Sequence, residues 1–149
     1  MAKAQSKAAV APSLEHRLDE GAVSALENGS HGDLFSILGA HGGGAMRVMR
    51  CFRPGAEAAS VVDRGGSVAA ELEPQGTSGL FTGTVPGTLE DYRFRFRHGS
   101  VEWEEEDPYR FGLILSDLDA YLLAEGRHYR LYEKLGAHPT HMDGVAGTR

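Results

Sequence analysis

The residues of this chain best suited to chemistry crowd into one stretch, DYRFRFRHGSVEWEEED at positions 91–107. Arg93, Arg95 and Arg97 could meet an anionic partner, and Glu102, Glu104, Glu105 and Glu106 could serve acid/base chemistry. The two-residue period decides between these readings. Successive side chains of a strand point to opposite faces, so Tyr92, Phe94 and Phe96 share one face and the arginines share the other. Gly99-Ser100 favours a type II′ turn, because glycine takes the positive φ of the first central position. That register sets Arg97 opposite Glu102, Arg95 opposite Glu104 and Phe96 opposite Trp103. A turn centred on His98-Gly99 would move the partners by two and leave every side chain on its face. In both registers cations meet anions across the hairpin, so the arginines need no phosphate and the glutamates no substrate. General acid/base catalysis needs carboxylates held in a cleft with separated pKa values, which an exposed strand does not offer.

The remaining candidates are aromatic, imidazole and thiol groups. Trp103 could stack on a sugar ring, but its parity places it with Val101 opposite the Phe face, in the core. Tyr109 and Phe111, in DPYRFG, lie just beyond the strand and are the candidate carbohydrate-binding residues; a plug at the end of the fold is the preferred reading of both. His138 and His141 are three apart and His31 and His41 flank a loop, yet there is no H-E-x-x-H and no cysteine pair, so no metal site is expected. GAHGGGA (39–45) fits neither a dinucleotide fingerprint nor a P-loop and reads as a mobile loop. Cys51, inside an expected strand, reads as a buried small hydrophobe rather than a nucleophile. No catalytic residue and no cofactor follow from these motifs.

Composition bounds the partners. The 149 residues suit one domain plus tails, 41% of them hydrophobic and 24% charged. A formal net charge of −6 makes a poor partner for a phosphate backbone, so nucleic acid is not expected. A single cysteine excludes a disulfide framework within the chain and fits a reducing, cytoplasmic setting. MAKAQSKAAVAPS has no apolar h-region, and no segment approaches the roughly 20 apolar residues of a membrane span, so a membrane partner is not expected either.

The elements that would carry these residues follow from period and punctuation. Residues 1–12 show no apolar period and read as a disordered tail. A helical segment is expected over 13–29, with Ser13 as N-cap, Leu14, Leu18, Ala22, Ala25 and Leu26 at helical spacing, and Asn28-Gly29 as the stop. A further helical turn is expected at 33–38. A sandwich domain is expected over 30–115: short strands at 46–53, 57–63, 67–73 and 80–86, followed by the hairpin, are separated by Gly and Pro punctuation. Strands at this spacing predict an immunoglobulin-like antiparallel β-sandwich, mainly β, with short flanking helices. Segment 116–149 reads as a helical connector, with a capping-box-like Ser116-x-x-Asp119 and Leu118, Tyr121 and Leu122 on one face.

Four segments are familiar together. HGDLFSILGAH (31–41), RCFRPGAE (50–57), EDPYRFG (106–112) and above all LLAEGRHYRLYEKLGAHPTHMDGVAGTR (122–149) resemble the N-terminal region of bacterial glycogen branching enzymes of the α-amylase superfamily. The resemblance covers about residues 30–149, and EGRHYRLYEKLGAH is its specific part. It implies an enzyme that cuts an α-1,4-glucan and transfers the segment to a 6-hydroxyl, using an aspartate nucleophile and a glutamate acid/base on a (β/α)8 barrel. No position here matches the barrel motifs, so no catalytic residue carries over and this chain alone is expected to be inactive. The resemblance implies an accessory, non-catalytic N-terminal domain that influences glucan positioning or transferred chain length. Its expected partners are the α-glucan and the remainder of the same polypeptide, a carbohydrate-binding module and the barrel. The alternative is a free-standing glucan-binding or adaptor module.

Overall fold

The computed structural model describes residues 16–149. The tail expected over 1–12 and the Ser13 cap lie outside them. The chain divides into two compact units, the first ending at Pro108 and the second spanning Tyr109–Arg149.

The first unit opens with α1 (Glu20–Glu27). Its periodicity reaches back to Leu14 in sequence, but the helix starts later because the Asp19 side chain accepts the Ala22 N–H at 2.9 Å and caps it there. Asp33 ties down a single turn in the same way, accepting the Ser36 N–H at 3.2 Å. Seven strands follow: β1 (Gly39–His41), β2 (Met46–Phe52), β3 (Ala58–Asp63), β4 (Val68–Pro74), β5 (Leu80–Pro86), β6 (Tyr92–His98) and β7 (Val101–Glu105). All pairings are antiparallel, in the order β1-β2-β5-β4-β3-β6-β7. This is the expected mainly-β antiparallel sandwich, with one refinement. The two layers are a single curled sheet, because β4 pairs with β3 up to Leu72 and with β5 from Glu73 onward.

Alternation fills the space between the layers. Met49, Cys51, Leu72, Phe81 and Val85 meet Ala59, Val61, Tyr92, Phe94 and Phe96, with Trp103 half-buried at the margin. Gly83 sits between Phe81 and Val85 on the same face because Leu72 fills its place: a Cβ there would lie 2.7 Å from Leu72 Cδ2. Burying ten side chains of this kind is the main stabilising term of the unit, at about 25 cal/mol per Å² of apolar surface removed from water.

The other face of β5 is covered as well. Thr82 Oγ1 and Arg50 Nε both donate to the His16 carbonyl, at 3.0 and 3.1 Å, while Gln75 exchanges two hydrogen bonds with the Leu18 backbone, at 2.6 and 3.0 Å. Leu26 and Leu38 are buried in the segment that supplies this cover. Val48 and Arg50 of β2 are therefore half-buried opposite the fully buried Met49 and Cys51, so that strand is covered on both sides.

The second unit begins within a 3-10 turn over Pro108–Phe111. It contains α2 (Asp117–Ala124), a 3-10 turn at Leu131–Glu133, and a hairpin of β8 (Pro139–Met142) and β9 (Val145–Thr148). The hairpin adds two strands at the end of the segment read from sequence as a helical connector. Its turn places Asp143 at φ 50° and Gly144 at φ 78°, the two positive values a type I′ turn requires. Among the described residues, no helix is long and apolar enough to cross a membrane.

Candidate functional site

The hairpin places its charges as the period requires. The register is Arg97 opposite Glu102, Phe96 opposite Trp103 and Arg95 opposite Glu104, with Gly99 at φ 57° in the turn. Glu104 receives two arginines, Arg95 Nη2 at 2.8 Å and Arg93 Nη1 at 2.9 Å. The Arg95 hydrogen bond, followed by the charges of Arg93 and Arg95, holds the Glu104 carboxyl below the usual carboxylate range. Arg95 also donates to the Gly66 carbonyl at 3.0 Å, and Arg97 lies 4.0 Å from Glu57 of the loop before β3. The arginines are thus spent on their own sheet. A carboxylate held ionised by two cations is suited to neither general acid nor general base. Beside it, over the small residues Ala58 and Ser60, runs an open polar groove bordered by Glu71, Arg97 and Glu102 and bearing no exposed aromatic ring.

The core margin carries a second polar group. Trp103 Nε1 donates to Glu105 Oε1 at 3.0 Å, and the Arg53 guanidinium reaches the same oxygen while lying 6.0 Å from the centre of the indole ring. Trp103 packs on Phe96 with ring centroids 5.8 Å apart, so it extends the core as its parity demands.

At the hairpin exit, Glu106 and Asp107 of EDPYRFG are each fastened by a side chain. Arg64 donates to Asp91 and to Glu106, each at 2.6 Å. Tyr92 Oη donates to Asp107 Oδ2 at 2.5 Å, inside the core. Beyond them Tyr109 and Phe111 are half-buried on the 3-10 turn, and the Arg110 guanidinium lies 4.5 Å from the centre of the Phe111 ring. Cys51 is buried, and burial first, then the negative charge of Asp107, pushes its thiol far above the usual range, the opposite of an activated nucleophile.

Three of the histidines bond backbone groups of their own segments. His41 Nε2 donates to the Leu38 carbonyl at 2.8 Å, His138 Nε2 to that of Leu135 at 3.0 Å, and His31 Nδ1 accepts the Asp33 N–H at 3.2 Å. Among the described residues no three His, Cys, Asp or Glu side chains converge as a metal site would require.

One cluster in the second unit was not visible in the sequence beyond its cap. Asp119 closes the capping box with Ser116, and its other oxygen accepts from His128 Nε2 at 2.8 Å, with Lys134 Nζ 3.4 Å away. Chiefly the Ser116 hydroxyl, then His128, keep the Asp119 carboxyl well below the usual carboxylate range. The imidazole therefore donates through Nε2 to an acceptor-only group. Nothing local marks His128, because its partner lies nine residues away along the chain. Serine bonded to the aspartate rather than to the imidazole is a cap, not a nucleophile relay.

The chain matches the family described as alpha-1,4-glucan branching enzyme GlgB, N-terminal domain, over residues 19–109. It is 52% identical over 130 residues to the 1,4-alpha-glucan branching enzyme GlgB of Cereibacter sphaeroides, covering 86% of this chain and 18% of that one. The enzyme of the same name from Ralstonia nicotianae is 43% identical over 158 residues, covering 93% of this chain and 20% of its own. GlgB 2 of Xanthomonas oryzae pv. oryzae is 43% identical over 141 residues, covering 94% and 19%. The chain therefore spans about a fifth of the length of these relatives, and the matched stretch runs past residue 109 into the second unit.

Proposed function

The chain belongs to the family of N-terminal domains of the alpha-1,4-glucan branching enzyme GlgB, and on that premise we propose that it is the non-catalytic accessory domain of such an enzyme. The whole enzyme would cut an α-1,4-glucan and transfer the released segment to a 6-hydroxyl, with this domain influencing glucan positioning or transferred chain length. The family match carries the reading, and the chemistry of the described residues is in keeping with it: ionised glutamates paired to arginines, a thiol shielded by burial, and histidines bound to backbone. The remainder of the polypeptide and the glucan are the proposed partners. A cytoplasmic setting, where Cys51 stays reduced, belongs to the same proposal. So do Tyr109 and Phe111 as glucan-contacting residues and a sandwich domain over about 30–115 followed by a connector over 116–149.

The test replaces the matched N-terminal region of the Cereibacter sphaeroides enzyme with this chain. The chimera should branch amylose and give a transferred chain-length distribution distinct from that of the enzyme lacking the region. Glucan turnover by the isolated chain, or a distribution indifferent to deletion and replacement alike, would overturn the reading. Titration of the isolated chain with malto-oligosaccharide, followed residue by residue by NMR, tests the aromatic pair: shifts should centre on 109–111, and none at millimolar sugar would remove Tyr109 and Phe111 from the glucan site.

A further inference from the structure

The second unit lacks the one thing that holds the first together. Every buried hydrophobic residue among those described lies before Pro108. Seven of the eleven exposed large hydrophobics lie after it, including Leu118, Tyr121, Tyr129 and Tyr132, with Tyr129 86% and Tyr132 69% exposed. Yet the unit is well specified locally, by the capping box, the Asp119 cluster and a hairpin closed by reciprocal bonds of 3.0 Å between His138 and Arg149. A stretch this short rarely builds a sufficient core alone, and exposed apolar groups at this density mark surfaces that meet something.

The sequence relationships say what. The match to the N-terminal domain family ends at residue 109, while the branching-enzyme relatives continue to match through the second unit and are about five times longer than this chain. The second unit is thus shared with the whole enzymes and lies past the end of their N-terminal domain. We propose that the leucine and tyrosine side chains of this unit, centred on Leu118, Tyr121, Tyr129 and Tyr132, form the docking surface for the remainder of the same polypeptide. This rests on the reading of the chain as part of a branching enzyme. The matching surface is an apolar patch bordered by hydrogen-bond acceptors for the tyrosine hydroxyls. A mixture of leucine and tyrosine suits a protein partner, since interface cores are apolar and enriched in tyrosine. A glucan would use the aromatic rings but leave Leu118 and Leu135 without a role.

Hydroxyl-radical footprinting of the isolated chain and of the chimera described above separates the outcomes. Labelling of Tyr121, Tyr129 and Tyr132 should fall about tenfold in the chimera, as for side chains taken into a packed interface. Leu118→Ser with Tyr121→Ser should leave the melting temperature of the isolated chain unchanged and lower that of the chimera. A chimera that branches amylose while its tyrosines label as in the isolated chain would overturn the docking surface and leave the accessory function standing. Loss of branching in a folded chimera whose parent is active would overturn that function instead. Protection of the isolated chain by maltoheptaose, or protection rising with its own concentration, would also overturn the proposal, in favour of a sugar or of a second copy.

Discussion

Tyr92 donates a 2.5 Å hydrogen bond to Asp107, and both side chains are sealed within the fold, the aspartate with no exposed surface at all. A strand of the core is thereby tied to the residue that precedes Pro108. A hydrogen bond to a buried charged acceptor contributes about 1.5–3 kcal/mol, so Tyr92→Phe should destabilise the first unit by that amount. Urea unfolding followed by Trp103 fluorescence measures it, and an unchanged midpoint would show that the bond adds nothing.

Phe96 and Trp103 face each other across β6 and β7, but only Phe96 is fully buried. Phe96→Ala should cost about 3–5 kcal/mol in the same assay, read by circular dichroism. Trp103→Ala should cost clearly less, because part of its surface already meets water. Equal losses would place the tryptophan inside the core and contradict the margin described above.

The glycine-rich segment after β1 makes a sharper test. A Cβ on Gly87 would lie 1.9 Å from the Gly44 carbonyl oxygen, and the Gly87 N–H donates to Ala45 at 2.8 Å. Backbone cannot step aside as a side chain can, so Gly87→Ala should cost about 1–3 kcal/mol or more. Gly43→Ala, with open space around it, should stay within about 0.5 kcal/mol. Similar melting temperatures for the two variants would refute the close approach.

Asp119 should make the second unit sensitive to acid. Its carboxyl titrates below the ordinary value near 3.8 because Ser116, His128 and Lys134 favour the charged form. A lowered folded-state pKa contributes stability that is complete above the unfolded value and is lost as pH falls through the folded one. Amide exchange in α2, corrected for its intrinsic acid dependence, should therefore lose protection on strong acidification. Asp119→Asn should flatten that dependence, and an identical acid profile for the two proteins would sink the assignment.

The faces of the hairpin were legible because alternation alone assigns them, and of the two registers left open the structure takes the Gly99-Ser100 turn. That register pairs Arg95 with Glu104. The start of α1 was less legible: Leu14 and Leu18 continue the helical spacing, but Asp19 bonds the Ala22 N–H and local capping wins over apolar period. β8 and β9 were missed for the opposite reason. Their Asp143-Gly144 turn signal is present, but PTHM and VAGT are too short and too polar to show a period. The Asp119–His128 pair was illegible in principle, since only the folded path between α2 and the following turn brings the two together. Burial was legible in the sandwich, where alternation reports it, and not in the second unit, whose apolar residues follow helical spacing and yet remain exposed.

The fastening at Asp107 also has a mechanical meaning. Chain leaving the first unit is held at its last residues by Arg64 clamping Glu106 and Asp91, and by the Tyr92 hydroxyl within the core. A pull on residues beyond Pro108 is therefore borne by β6, an inner strand paired on both sides, rather than by peeling the edge strand β7 away. Tension arriving from beyond Pro108 would thus load the Tyr92 bond and the Arg64 ion pairs before it reached the pairing of β6 with β7.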